Sequence, residues 1–405
     1  MIDRATLAAL DAADPLAGFR DRFTLPEGVI YLDGNSLGAL PRATPARVAE
    51  VVAQEWGQSL IRAWNAHGWI DLGVRVGEKI GRLIGAAPGS TVVADSTSIN
   101  LFKLLAAALT ARPGRRTLLT ETGNFPTDLY VADGLTRLLA QGHRVRAADN
   151  PVAALDGDVA VLMLTHVNYR SGAMHDMASV TRAAHAAGAL VLWDLSHSEG
   201  AVPLTLAADG ADFAVGCGYK FLNGGPGAPA FLSVAPALQA DLRLPITGWL
   251  GHAAPFDFAP AYRPAPGVAA AVVGTPPVLS LAALEVGVDL MLDAPIAALR
   301  EKSLRLGDTF LTLMADMPGF VPISPRDETR GSQVAFRHPD GYAIMQALIA
   351  RGVIGDFRAP DILRFGLAPL YLRYVDVWDT VVTLREVMTT EVWRDARFQH
   401  RQAVT

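Results

Sequence analysis

Ala189-Leu190-Val191-Leu192-Trp193-Asp194, followed by Phe213-Ala214-Val215-Gly216-Cys217-Gly218-Tyr219-Lys220, is the stretch that decides the fold. Each half holds a short run that is apolar at successive positions and then stops at a polar residue or a glycine turn. That is the pattern of a strand buried on both faces. Similar runs stand at Thr117-Leu118-Leu119-Thr120, Val159-Ala160-Val161-Leu162-Met163-Leu164-Thr165 and Ala230-Phe231-Leu232-Ser233-Val234. Helical stretches such as Met177 to Ala187 separate them, so the spacing predicts an α/β fold with a mostly parallel sheet.

Outward from this centre the patterns change. Residues 1–30 read as a short amphipathic helix and a loop, and Val29-Ile30-Tyr31-Leu32-Asp33-Gly34-Asn35-Ser36 runs from a brief strand into a turn. Helical periodicity then continues to about Gly85. Pro245 to Pro277 is rich in Pro and Gly and reads as ordered loops, and Leu279 to Met317 as one or two long helices. The tail offers strands at Gln333-Val334-Ala335-Phe336 and Ile362-Leu363-Arg364-Phe365, a helix from about Tyr342 and a closing helix from Val375 to Trp393. The expected division is an N-terminal segment, 1–45, packing with a smaller α+β domain, 291–405, beside a large domain, 46–290.

Composition narrows the classes. Lys+Arg 35 against Asp+Glu 40 gives a net charge of −5, which excludes a generic polyanion binder, and no basic stretch marks a nucleic-acid-binding domain. With 51% hydrophobic residues the chain has ample core. A lone cysteine, Cys217, forms no internal disulfide and no thiolate cluster, so a reducing compartment and no metal are expected. The N-terminus mixes acids and bases without the apolar run of a signal peptide or spanning helix; a soluble cytoplasmic protein is the expectation.

Only four of the basic residues are lysine: Lys79, Lys103, Lys220 and Lys302. Three fall in helical patterns, where a solvated surface role suffices. Lys220 instead sits in the glycine-rich turn just past a buried strand, where α/β sheets place ligands. Arginine cannot replace a lysine that must act as a neutral amine, either as base or as nucleophile; a plain ion pair with a carboxylate is the competing reading. Asp194 ends the neighbouring run, so both side chains would emerge at one edge of the sheet. In pyridoxal 5′-phosphate (PLP) enzymes a carboxylate pairs with the protonated pyridine nitrogen while a lysine holds the aldehyde carbon, and Asp194 with Lys220 is a coherent pair for that task. Asp at a strand end is also common as a helix cap. His197 is close enough to serve either Asp194 or a cofactor. Asp95-Ser96-Thr97-Ser98-Ile99-Asn100, before a helix expected over Leu101 to Leu109, offers hydroxyls and free N–H groups to a phosphate. Asn124-Phe125-Pro126-Thr127-Asp128 places an aromatic ring in a loop where it could stack on a pyridine ring or join the core.

Taken together these segments resemble the kynureninase family, of the aspartate-aminotransferase-like (fold type I) PLP enzymes, collinearly from about Tyr31 to Tyr371. The matches are Gly34-Asn35-Ser36-Leu37-Gly38, Phe125-Pro126-Thr127-Asp128, Trp193-Asp194-Leu195-Ser196-His197, Gly218-Tyr219-Lys220-Phe221-Leu222-Asn223-Gly224, Gly248-Trp249-Leu250-Gly251-His252, Gly274-Thr275-Pro276-Pro277, and Arg364 before Ala368-Pro369-Leu370-Tyr371. The resemblance implies a large, mostly parallel seven-stranded sheet domain and a homodimer with a shared active site. It makes Lys220 the Schiff-base lysine, sets Asp194 on the pyridine nitrogen, His197 near the ring and Phe125 stacked on it. Thr97, Ser98 and Tyr219 would hold the phosphate, with Trp249 and Thr275 reaching over from a second subunit. Asp128 and Asn168 would approach the cofactor. Arg364 would grip the substrate α-carboxylate, with Asn35, Trp64 and Thr275 toward the substrate.

The implied reaction is L-kynurenine + water → anthranilate + L-alanine, a hydrolytic Cβ–Cγ cleavage in tryptophan degradation. Lys220 would remove the α-proton and Tyr219 would relay protons. Thr275 stands where some members, notably animal ones, carry asparagine, and Trp64 near a position that is histidine in them; in the family that pairing goes with a preference for L-kynurenine over its 3-hydroxy derivative. A cysteine desulfurase or class V aminotransferase shares the fold and the Asp/Lys pair. A desulfurase needs a mobile, activated thiol, whereas Cys217 reads as a small core residue. A nicotinamide dehydrogenase is disfavoured, since no G-x-G-x-x-G follows a first strand.

Overall fold

The computed structural model describes residues 2–402. Its centre is a seven-stranded sheet whose strands, in chain order, are β1 (Thr91–Val93), β2 (Thr117–Glu121), β3 (Arg144–Ala148), β4 (Val159–Thr165), β5 (Leu190–Asp194), β6 (Phe213–Gly216) and β7 (Phe231–Val234). In space they run β1-β7-β6-β5-β4-β2-β3. β7 is antiparallel to both its neighbours, and the other pairings are parallel.

The double-faced burial read from the sequence has a direct structural cause. Along β4, Leu162 and Leu164 enter one apolar cluster while Val161 and Met163 enter the other; along β5, Val191 and Trp193 oppose Leu190 and Leu192. Period-two alternation therefore sends side chains to two different layers of helices, and both layers must be apolar. Helix α1 (Thr97–Ala111) covers one face with Leu101, Leu104 and Leu105; the helix Leu72–Leu83 covers the other with Val76 and Ile80.

The sequence reading named five of the seven strands. Thr91–Val93 spans only three residues, and Arg144–Ala148 lies at the sheet edge, with arginines alternating in a run that is nowhere fully buried. Neither has the long apolar signature of a central strand. The expected long helical region divides into Val278–Asp293 and Ile296–Leu313, broken at Ala294-Pro295, and the closing helix ends at Thr389, where Glu391 takes a left-handed conformation. Pro245 to Pro277 forms loops with three single 3-10 turns.

The C-terminal part builds a four-stranded antiparallel sheet from Val321–Pro322, Gln333–Arg337, Ile362–Gly366 and Asp356–Arg358. N-terminal residues attach to it. Ile30–Tyr31 pairs in parallel with Val353–Ile354, and Asp11 accepts hydrogen bonds from Tyr374 N and Val375 N at the start of the helix Tyr374–Thr389.

The surface role expected for three lysines does not hold for two of them. Lys103 and Lys302 are buried, each ammonium pairing with one carboxylate and one carbonyl: Asp95 and Ala271 O for Lys103, Asp14 and Pro369 O for Lys302. Helical periodicity misled because a lysine's long stem lets a buried helix position reach a polar partner elsewhere. Burial lowers both pKa values. Lys79 keeps a half-exposed position between Glu285 and Asp289.

Candidate active site

β5 and β6 end side by side at one edge of the sheet. β5 delivers the buried Asp194, whose Oδ1 accepts a hydrogen bond from Ser196 N at 2.8 Å. After β6 the chain turns sharply through Cys217 to Gly224. Asn223 N bonds to Lys220 O and Gly224 N to Gly218 O, each at 2.9 Å, with Asn223 left-handed at φ 56°. The N-terminal segment lies on this turn. Gly38 N donates to Tyr219 O at 2.7 Å, and a Cβ on Gly38 would stand 2.3 Å from Lys220 O, so glycine is required for that approach.

Lys220 Nζ lies 3.0 Å from His197 Nε2 and 5.9 Å from the centre of the Tyr219 ring. An ammonium at Lys220 donates to Nε2, which leaves the imidazole proton on Nδ1, buried and without an acceptor among the described residues. Burial and then the Lys220 charge hold the His197 pKa well below its ordinary value, so the ring is neutral.

Acid groups gather behind the lysine. Asp128 sits in the first turn of the helix Pro126–Leu139, is buried, and accepts from Thr165 Oγ1 at 3.4 Å; Thr165 also bonds Asn124. Glu199, fully buried, accepts from Cys217 N at 3.2 Å while its Oε2 has no partner among the described residues. Burial first and the Asp194 charge second raise the pKa values of Asp128 and Glu199 well above the carboxylate range. Tyr219 is pushed up by burial and then by Cys217 and Asp194, so it stays a phenol. The Cys217 thiol is buried and pushed up to about 12, chiefly by burial. It has neither the exposure nor the low pKa of a nucleophile.

The residues expected to hold a phosphate stand at a helix terminus. Ser96 caps α1 through Ile99 N at 3.4 Å, which places Thr97 and Ser98 in the first turn; the expected start at Leu101 was four residues late. No hydrogen bond among the described residues uses the Thr97 or Ser98 hydroxyl, and first-turn N–H groups have no intrahelical acceptor. Phe125, 39% exposed, stands at the start of the Asp128 helix and meets Tyr169 edge-on with ring centres 5.0 Å apart. Asn168 ties the adjoining loop, its Nδ2 donating to Gly123 O at 3.2 Å and its Oδ1 accepting from Arg170 N and Ser171 N.

Arg364, in the strand Ile362–Gly366, is buried and bidentate on Asp356: Nε to Oδ1 at 2.7 Å and Nη2 to Oδ2. It also donates to Ser36 Oγ at 3.1 Å and to Tyr169 O. Asn35 Nδ2 donates to Gln333 Oε1 at 3.1 Å, and the Asn35 carbonyl oxygen is buried without a partner among the described residues. The Arg364 charge contributes to depressing the pKa of His197, the ring that Lys220 touches.

Trp64, Trp249 and Thr275, like Thr97 and Ser98, share no hydrogen bond or ring contact with the other expected residues among those described. Trp64 packs edge-on against Trp69 at 6.3 Å, Trp249 against Phe256 at 5.8 Å, and Thr275 is exposed; no hydrogen bond or ring contact among the described residues links any of them to Lys220. Conversely, Glu199, Asp356, Arg358 and Gln333 stand in or beside the site without having been expected there. Glu199 alone left a signal, an acid inside an otherwise apolar or small-residue run.

The donor set suits pyridoxal phosphate at both ends. Burial keeps Asp128 and Glu199 neutral beside Asp194, whose carboxylate at the strand end would pair with a protonated pyridine nitrogen; the Thr97-Ser98 terminus suits a phosphate dianion.

A family model described as the kynureninase C-terminal domain matches residues 299–384. Kynureninases of Pseudomonas fluorescens and Burkholderia pseudomallei (strain 1106a) are 51% and 52% identical to the chain, over 100% of both sequences in each case. Among solved structures, a cysteine desulfurase from Thermococcus onnurineus superposes with TM-score 0.78 at 15% identity, covering 92% of this chain and 98% of that one. One from Escherichia coli gives 0.74 at 20%, covering 93% and 98%. At such identities the desulfurases share the fold alone. Identity of about half along the whole length decides more than fold: the chain belongs to the kynureninase family.

Proposed function

We propose that the chain is a PLP-dependent hydrolase that cleaves the Cβ–Cγ bond of L-kynurenine, taking up water and releasing anthranilate and L-alanine. The observation that carries this reading is the Lys220 amine held 3.0 Å from a neutral His197, between the buried acids and the Arg364–Asp356 pair, in a chain half identical to kynureninases.

When bound, pyridoxal phosphate supplies an electron sink for the pair left at the substrate α-carbon. Asp194, oriented by Ser196 N, would hold the ring nitrogen protonated; Phe125 would cover one ring face, and Thr97, Ser98 and Tyr219 the phosphate. Arg364 fixes the α-carboxylate with a guanidinium fork kept planar and in place by Asp356. That leaves the α-hydrogen toward Lys220, whose amine takes the proton. Tyr219, still a phenol at neutral pH, gives and retrieves the proton needed as water adds at the γ-carbonyl and the Cβ–Cγ bond breaks.

Trp249 and Thr275 lie on the surface of one chain, which supports a homodimer whose second subunit brings them to the site. Thr275 and Trp64 support a preference for L-kynurenine over 3-hydroxykynurenine. The lone buried cysteine supports a reducing, cytoplasmic location.

Purified protein is mixed with PLP and L-kynurenine and anthranilate fluorescence is followed, with 3-hydroxykynurenine as second substrate. Anthranilate release, with the higher kcat/KM for kynurenine, is expected. Cofactor binding without release would move the assignment to the aminotransferase or desulfurase reading.

A further inference from the structure

Arg364 is not the only guanidinium at the carboxylate grip. Asp356 and Arg358 belong to one strand, and Arg358 Nη2 stands 2.8 Å from the same Asp356 Oδ2 that Arg364 uses. Ser36 Oγ lies between them, donating to Asp356 Oδ2 at 2.8 Å, 3.1 Å from Arg364 Nη2 and 3.4 Å from Arg358 Nη2. Two cations thus converge on one neutral oxygen. Their exposure differs: the Arg364 side chain is 1% exposed and the Arg358 side chain 37%. Arg364 is largely committed to Asp356 and Tyr169 O; Arg358 pairs with Asp356 through Nη2 and reaches Ser36 Oγ and Phe357 O only at 3.4 Å, from a side chain that is more than a third exposed.

We propose that Arg358 is a second recognition residue for the substrate α-carboxylate, closing on it together with Arg364 at the place the Ser36 hydroxyl marks. The inference rests on the reading of Arg364 given above and extends it.

Charge supports it. Two guanidinium groups share Asp356, and the nearby Asp33 does not fully offset the second of them, because burial first and Asp356 second raise its pKa to about 7 and leave it only partly ionised at neutral pH. A partly buried excess of positive charge is costly unless an anion joins it, and a carboxylate is a ligand that offsets it. Arg358 also has a planar fork that can bind one carboxylate oxygen while Arg364 binds the other.

The test uses the PLP-loaded enzyme with L-kynurenine and with its α-carboxamide, which lacks the anion. Wild type, Arg358→Met, Arg358→Lys and Arg364→Met are compared by KM, kcat and the acid-to-amide ratio of kcat/KM. Arg358→Met is expected to raise KM for the acid by roughly tenfold to a hundredfold, with a smaller change in kcat and little change for the amide. Arg358→Lys, which keeps the charge without the fork and guards against a folding defect, should fall between. An unchanged ratio in both Arg358 variants, or equal loss on acid and amide, overturns the proposal and makes Arg358 a structural partner of Asp356. Loss of the acid preference in Arg358→Met but not in Arg364→Met would instead overturn the Arg364 reading alone. A wild type indifferent to acid and amide would overturn both.

Discussion

The lysine turn and the arginine pair present opposite electrostatic settings. Around Lys220 the excess is acid: Asp128, Asp194 and Glu199 crowd a single amine, and burial keeps Asp128 and Glu199 protonated. Around Arg364 the excess is base, with Arg358 and Arg364 on Asp356. His197 lies between the two and feels both Lys220 and Arg364. A zwitterionic amino acid docked on a cationic ring fits this polarity in one orientation only. In the proposed reading the acid pole would take the ring nitrogen and the basic pole the carboxylate, with the α-carbon near the lysine. The difference teaches that the proposed orientation would be set by two unlike clusters, one rich in buried carboxyl groups and one in guanidinium groups.

Breaking the acid pole's partner should have the largest effect. Lys220→Ala removes the amine that takes the α-proton, and turnover measured by anthranilate fluorescence should fall by about 10⁴-fold. Retained turnover would mean another base acts. Breaking the basic pole comes next. Arg364→Met should raise KM for L-kynurenine by about a hundredfold, and should also destabilise the protein by about 3 kcal/mol in denaturant melts, since Asp356 loses its buried bidentate partner. Tyr219→Phe sharpens the division of labour: turnover should drop by about tenfold or more while PLP absorbance on the protein persists. Unchanged turnover would refute the proton relay.

The smallest effect concerns Asp33. Its folded pKa, about 7, lies above the ordinary value of 3.8, so the folded state holds its proton more tightly than the unfolded chain. The stability this group contributes is fully present below about pH 4 and is lost as pH rises through 7. Asp33→Asn should therefore flatten the fall in Tm between pH 5 and 8; a slope identical to wild type would contradict the assignment.

Much of the acid pole was legible in the sequence, because Asp194 and Lys220 each follow a run whose double-faced burial marks the end of a central strand. The basic pole was less so. Arg364 came from resemblance, and Asp356 with Arg358 was missed because the pair sits on a three-residue edge strand whose meaning depends on antiparallel pairing with Ile362–Gly366. Glu199 was visible as a letter, yet its position under Asp194 depends on the turn after β5. The buried Lys103 and Lys302 show the same limit: helical periodicity says which face a residue lies on, while the partner that makes burial tolerable is remote in sequence. Trp64, Trp249 and Thr275 share no hydrogen bond or ring contact with Lys220 among the described residues; the proposed role of Trp249 and Thr275 needs a second subunit, whereas Trp64 was expected toward the substrate on resemblance alone.

The central claim, that Lys220 alone of the four lysines meets the cofactor, has a direct test. The PLP-loaded protein is reduced with borohydride, digested and mapped by mass spectrometry, which fixes any lysine–cofactor linkage in place. A single adduct on the peptide carrying Lys220 is the predicted result. An adduct on Lys79, Lys103 or Lys302 with Lys220 unmodified would contradict the account.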